Sequence, residues 1–272
     1  LPPTHLPPDL RFVINASSFF FCRDTISRDY LRRQNLSTPL LEFGPDTQLG
    51  MSARDDARAN AFLQSHSLTP GRFSCFIPRL RYTPYYRVDN RPRQKDDDAK
   101  DAINARTTEP DHRKIRELIT AYVRQTKHKA LVCAEMTYQV ELGKQALVDP
   151  LPDDVKPHVV WRDSYWLPDE AASVYAQALA VVSLECHSPL IAYRNGTPAF
   201  YVRQPTDTSK GQMYRDFGAA DCFFEVDEAT PELLWSRLAK IAQNPTRARR
   251  HVRQIMSTVE SHQRRMVDAA RA

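Results

Sequence analysis

The sequence predicts an α/β fold, a Rossmann-like parallel sheet flanked by helices. Three observations predict it. Short apolar runs of strand length alternate along the chain with amphipathic helical segments. The stretch from Val181 to Gly218 gives strand, polar loop, helix, turn and strand in order, a βαβ unit with a right-handed crossover. Two successive strands in it end in polar clusters bearing a histidine, cations and small hydroxyl side chains. Ligands in such sheets sit beyond the carboxyl ends of strands.

Each element follows from local pattern. Phe19 to Cys22 reads as a buried strand closed by Arg23-Asp24, and Ser27 as the N-cap of a short helix to Gln34. Thr38 to Phe43 is the next strand, stopped by Gly44-Pro45-Asp46. Asp55 to His66 is an amphipathic helix, and Pro70-Gly71 a turn. Phe73 to Ile77 opens a second α/β unit. Its end carries Arg79 and Arg81, which on an extended segment face the same way and could grip a phosphate or carboxylate. The alternative is a surface ion-pair ladder.

Residues 87–111 form the most polar segment, expected as a solvated loop acting as lid or insertion, with Asp96-Asp97-Asp98 solvated and not metal-binding. His112 to Gln125 is a helix with Ile115, Leu118, Ile119 and Tyr122 inward. Ala130 to Cys133 is a strand whose end bears Glu135, either a ligand contact or a helix cap. Val159 to Trp161 is a short strand, and Leu167-Pro168-Asp169-Glu170 starts a helix with proline and acids in its first turn. Ala180 to Val182 breaks at Ser183-Leu184-Glu185-Cys186-His187-Ser188. A helix from Pro189, the turn Asn195-Gly196-Thr197-Pro198 and the strand Ala199 to Val202 follow. Met213 to Gly218 is a short helix, Cys222 to Val226 the last strand, Pro231 to Gln243 a helix, and 247–272 an Arg-rich terminal helix.

Composition excludes several classes. The 272 residues, 42% hydrophobic and 26% charged, can bury one large core or two modest ones. No apolar run approaches the roughly 18 residues of a membrane span. The first residues carry neither Met nor a signal pattern, so residue 1 is expected to lie inside a longer protein. The net charge of +5 is dispersed, and without a compact basic run it suits an anionic small substrate and not nucleic acid. Cys22, Cys75, Cys133, Cys186 and Cys222 are isolated and odd in number, which points to a reducing, cytoplasmic setting and against a zinc ribbon. The sequons at Asn15, Asn35 and Asn195 read as chance. Among seven glycines there is no Gly-x-Gly-x-x-Gly or Walker loop, so any phosphate must be met by helix N-termini and cations. Nucleophile-elbow and zinc-protease motifs are missing as well.

Ser183 to Ser188, Ile191-Ala192, Gly196-Thr197-Pro198 and Lys210 together resemble the C-terminal half of polysaccharide pyruvyl transferases. Arg23-Asp24-x-x-Ser27 and Pro45-Asp46 resemble the end of that family's first lobe. The resemblance implies a GT-B-like architecture of two Rossmann-like lobes, with the N-terminal lobe incomplete in this chain. Residues 1–68 would be the remainder of that lobe, 69–246 the C-terminal lobe, and 247–272 a helix packing across both.

It also implies transfer of a pyruvyl group from phosphoenolpyruvate to a glycan as a ketal, with no metal and no cofactor besides the donor. That chemistry needs cations for phosphate and carboxylate, a general acid and a base. His187 and Lys210 match the family's histidine and lysine, as acid/base or phosphate contact and as anion contact. Position alone adds Arg79, Arg81, Arg203, Ser188 and Glu135. Glu185 stands where the family has arginine. One expectation is that Glu185 pairs with His187 and favours its acid form; another is that donor or activity differs. The alternatives to pyruvyl transfer are a GT-B glycosyltransferase using a nucleotide-sugar, with Glu135 or Glu185 on a hydroxyl, and an inactive glycan-binding relative. Cys186 beside His187 is expected to be a buried structural residue.

Overall fold

The computed structural model describes residues 5–271; the Leu-Pro-Pro-Thr opening and Ala272 lie outside the described residues. The helices are α1 (Pro8–Asn15), α2 (Thr25–Arg32), α3 (Asp56–Ser65), α4 (Tyr85–Val88), α5 (Asp97–Thr126), α6 (Gln139–Gly143), α7 (Pro168–Gln177), α8 (His187–Arg194), α9 (Lys210–Asp216), α10 (Pro231–Gln243) and α11 (Pro245–Arg271). The strands are β1 (Phe20–Cys22), β2 (Leu41–Phe43), β3 (Phe73–Ile77), β4 (Lys129–Val132), β5 (Val159–Trp161), β6 (Ala180–Ser183), β7 (Ala199–Arg203) and β8 (Phe223–Glu225).

β1 and β2 form a two-stranded parallel sheet, and the other six a second, wholly parallel one in the order β5-β4-β3-β6-β7-β8. Counted from β3, that order is 3-2-1-4-5-6, the doubly wound arrangement. The order in which strands are added reverses between the parallel neighbours β3 and β6, where Cys75 faces Val181 and Phe76 faces Val182. Both strands are fully buried, as apolar runs covered by helices on both faces must be. One face packs α3, α7, α8 and α11 residues into a core with Tyr175, Tyr193 and Tyr214; the other packs α5 and α10 with Phe76, Tyr122 and Phe200.

α11 lies along both sheets' surroundings. Arg249 donates to the carbonyls of Ala178 at 2.9 Å and Gly196 at 3.1 Å, while the His262 ring meets Phe43 edge-on at 5.1 Å. Gly196 has φ +75°, a left-handed turn between α8 and β7 that the glycine permits without strain. No described helix is long and apolar enough to cross a membrane.

Residues 97–111 correct the expected loop: α5 runs unbroken for 30 residues, with Pro110 inside it. Its inward stripe is polar over the first half. Asp97, Asn104 and Asp111 recur every seven residues and are buried. Asp97 accepts from the Gln94 amide and pairs with Arg91, Asn104 bridges the Tyr82 backbone, and Asp111 takes the Arg81 guanidinium. The helix therefore carries no hydrophobic period there.

Candidate functional site

The reversal point of the sheet places the loop after β3 beside the loop after β6, and their polar residues meet. Arg79 Nε lies 3.1 Å from Glu185 Oε1, and both side chains are about nine-tenths buried or more. Glu185 also accepts from Gln139 Nε2 at 2.7 Å. Arg79 reaches the other way to Asp207, in the loop after β7, where the Tyr201 hydroxyl also donates. Lys210 Nζ stands 3.7 Å from the second Asp207 oxygen.

The second half of the site is the first turn of α8. Glu135, after β4, accepts from the Ser188 amide at 2.7 Å, from Ser188 Oγ at 2.7 Å and pairs with His187 Nδ1 at 3.2 Å. A carboxylate thus sits where free N–H groups of a helix N-terminus collect an anion. His187 keeps 38% of its side chain exposed, so this edge faces solvent.

Electrostatics set the protonation states. Burial, then the Glu135 charge, pushes Glu185 from 4.5 up to about 8, outweighing Arg79; Asp207 adds to the rise and Lys210 opposes it. Burial thus favours the protonated form of Glu185, while the Arg79 guanidinium beside it favours the carboxylate. The Cys186 side chain and then the Glu135 carboxylate raise the His187 imidazole from 6.5 to about 11 against desolvation. His187 is a cation. Arg79 stays charged, held up by Glu185 and Asp207 against desolvation.

Of the sequence-derived candidates, the structure brings Glu135, Glu185, His187, Ser188, Arg79 and Lys210 to one edge of the sheet. It does not pair Glu185 with His187. Their partners are Arg79 and Gln139 for the one and Glu135 for the other, because the backbone turns into α8 at residue 187 and is not extended there. Arg79 and Arg81 do not share a target either. The chain leaves strand geometry after Ile77, and Arg81 instead holds Asp111 at 2.8 Å and Asp227. Arg203 is engaged across the ladder with its register partner Glu225, with Nε 2.9 Å from Oε2. Cys186 is buried, as expected. Sequence reasoning passed over Asp207, Gln139 and Tyr201. Asp207 lies just past the carboxyl end of β7, the one sequence signal that marks it.

No protein-family model and no curated protein matches the chain. Among solved structures, a UDP-glucose:anthocyanidin 3-O-glucosyltransferase in complex with UDP is similar at 13% identity and TM-score 0.50, covering 96% of this chain and 55% of that one. The glycosyltransferase VinC in complex with DTDP is similar at 13% identity and TM-score 0.45, covering 90% and 57%. The spinosyn rhamnosyltransferase SpnG, complexed with thymidine diphosphate, shows 15% and 0.44, covering 86% and 57%. The chain thus spans little more than half the length of these structures. The likeness establishes the fold: a parallel α/β sheet flanked by helices, of the GT-B glycosyltransferase kind.

Proposed function

We propose that the chain carries the donor-binding part of a GT-B transferase that takes a nucleotide-sugar and passes its glycosyl group to a glycan or related acceptor. One observation carries the reading: at the point where strand order reverses, the His187 imidazole is part-exposed at the otherwise buried first turn of α8, while the surrounding cations are already matched. Arg79, Arg81 and Arg203 each hold carboxylates of the chain. Phosphoenolpyruvate, compact and multiply charged, needs two uncommitted cation clusters. A nucleotide-sugar spreads its diphosphate charge and draws much of its affinity from base, ribose and sugar hydroxyls.

In this reading residues 69–246 form the donor lobe, 1–68 belong to the other lobe, and 247–272 tie the two. The donor diphosphate displaces the Glu135 carboxylate from the Ser188 amide. His187 and Lys210 then stabilise charge on the leaving phosphate, and Glu135 is left to accept the acceptor's hydroxyl proton. The fold shared with a UDP-complexed glucosyltransferase supports it.

Pyruvyl transfer is the second reading. It is favoured by the His187–Ser188 and Lys210 motif residues and by the protonated state of His187, an acid suited to the methylene carbon. Calorimetric titration with UDP, dTDP and phosphoenolpyruvate separates them. Saturable binding of a nucleoside diphosphate supports glycosyl transfer; phosphoenolpyruvate alone would move the assignment to pyruvyl transfer. Binding of neither overturns both.

A further inference from the structure

Far from the donor site, at the amino-terminal end of β8, three side chains of unlike chemistry converge. Asp221 and Cys222 come from the turn entering β8, and His251 from the second turn of α11. Their donor atoms all lie within 4.8 Å of one another. Asp221 Oδ1 is 3.3 Å from His251 Nε2 and 3.6 Å from Cys222 Sγ. A tetrahedral zinc ion with Zn–N and Zn–O near 2.0 Å and Zn–S near 2.3 Å has edges of roughly 3.3 Å between N and O and roughly 3.5 Å between S and O. The two measured edges fit such a polyhedron with Asp221 Oδ1 at the shared vertex.

We infer that Asp221, Cys222 and His251 form a site for a divalent transition metal of zinc's kind, with water as the fourth ligand. Sulfur and imidazole nitrogen select such a metal over magnesium or calcium, which prefer an all-oxygen shell. Asp221 is half exposed and His251 42% exposed, which leaves an open face for water and for entry of the ion. Cys222 is more enclosed and packs against the core beneath. On binding, the thiol releases its proton to solvent and the Sγ–metal bond forms. The resulting carboxylate and thiolate charges balance the dication, while the Arg237 guanidinium nearby opposes it and limits affinity. The metal would tie the start of α11 to the sheet, at the edge opposite the donor site.

Cobalt(II) titration of the whole chain tests the assignment, since cobalt reports thiolate ligation through a near-ultraviolet charge-transfer band. The other four cysteines are buried, so the band reads Cys222. Expected are one equivalent of cobalt, displacement by zinc, loss of the band in Cys222→Ser, and at least about tenfold weaker binding in His251→Gln and Asp221→Asn. Zinc should raise the melting temperature of the wild type and not of Cys222→Ser, with nucleotide binding unchanged in all three variants. No saturable cobalt binding overturns the site, as does a charge-transfer band that survives Cys222→Ser. Affinity unmoved by both His251→Gln and Asp221→Asn would do so too.

Discussion

Replacing Glu185 by glutamine isolates one proton's contribution to stability. The carboxyl is 6% exposed, and its pKa rises from 4.5 to about 8 because burial and the Glu135 charge outweigh Arg79. A group that holds its proton more tightly folded than unfolded contributes stability that is full below 4.5. That contribution falls as pH climbs through about 8. The slope approaches about 1.4 kcal/mol per pH unit inside the window, so between pH 5.5 and 7.5 the wild type should lose roughly 2–3 kcal/mol from this group. Glutamine is neutral, nearly the same shape, and can still accept the Gln139 bond. Urea unfolding of both proteins at several pH values gives the difference directly. The variant should already lead wild type by about 1–2 kcal/mol at pH 5.5, one unit above the unfolded value, and gain on it steadily toward pH 8. A difference independent of pH would mean that Glu185 is ionised throughout and Arg79 dominates, refuting the electrostatic ordering.

Other perturbations follow from the same contacts. Arg79→Leu leaves Asp207 buried without its guanidinium and should cost about 3–5 kcal/mol in a denaturant melt, more than loss of a surface pair. Glu135→Gln removes one of the two groups that raise His187, so its ring should titrate nearer 6.5 by NMR, while wild type stays protonated at pH 8; identical titration curves would discount the Glu135 contact. Gly211→Ala places a Cβ against the Phe223 ring and Arg203, and should destabilise by about 1–3 kcal/mol, read as a lower melting temperature. Arg249→Met deletes the bonds to the Ala178 and Gly196 carbonyls and should speed amide hydrogen exchange along the first turns of α11.

The sheet was legible because buried parallel strands announce themselves as short apolar runs. All eight observed strands overlap such runs, and the helix Pro231–Gln243 appears with Leu234, Leu238 and Ile241 inward as expected, whereas Leu233, expected inward with them, is 40% exposed. The first half of α5 was hidden by its buried Asp97, Asn104 and Asp111, whose partners lie elsewhere in the chain. The site was half visible. Strand-end position was enough to select Glu135, Glu185, His187 and Arg79, since topology fixes which loops meet. Pairing was not legible: which carboxylate answers which cation depends on the turn into α8 and on Asp207 from a third loop. Local spacing put Glu185 with His187 and Arg79 with Arg81, and three-dimensional packing separated both pairs.

In the proposed donor site, Glu135 occupies the first turn of α8 in the free protein, where the donor phosphate would bind. Titrating isotope-labelled protein with UDP, while following the Ser188 amide and the His187 ring by NMR, tests this directly. Saturable shifts at both, as the nucleotide phosphate replaces the carboxylate, are the expected result. Nucleotide that binds while leaving Ser188 and His187 unmoved would contradict it.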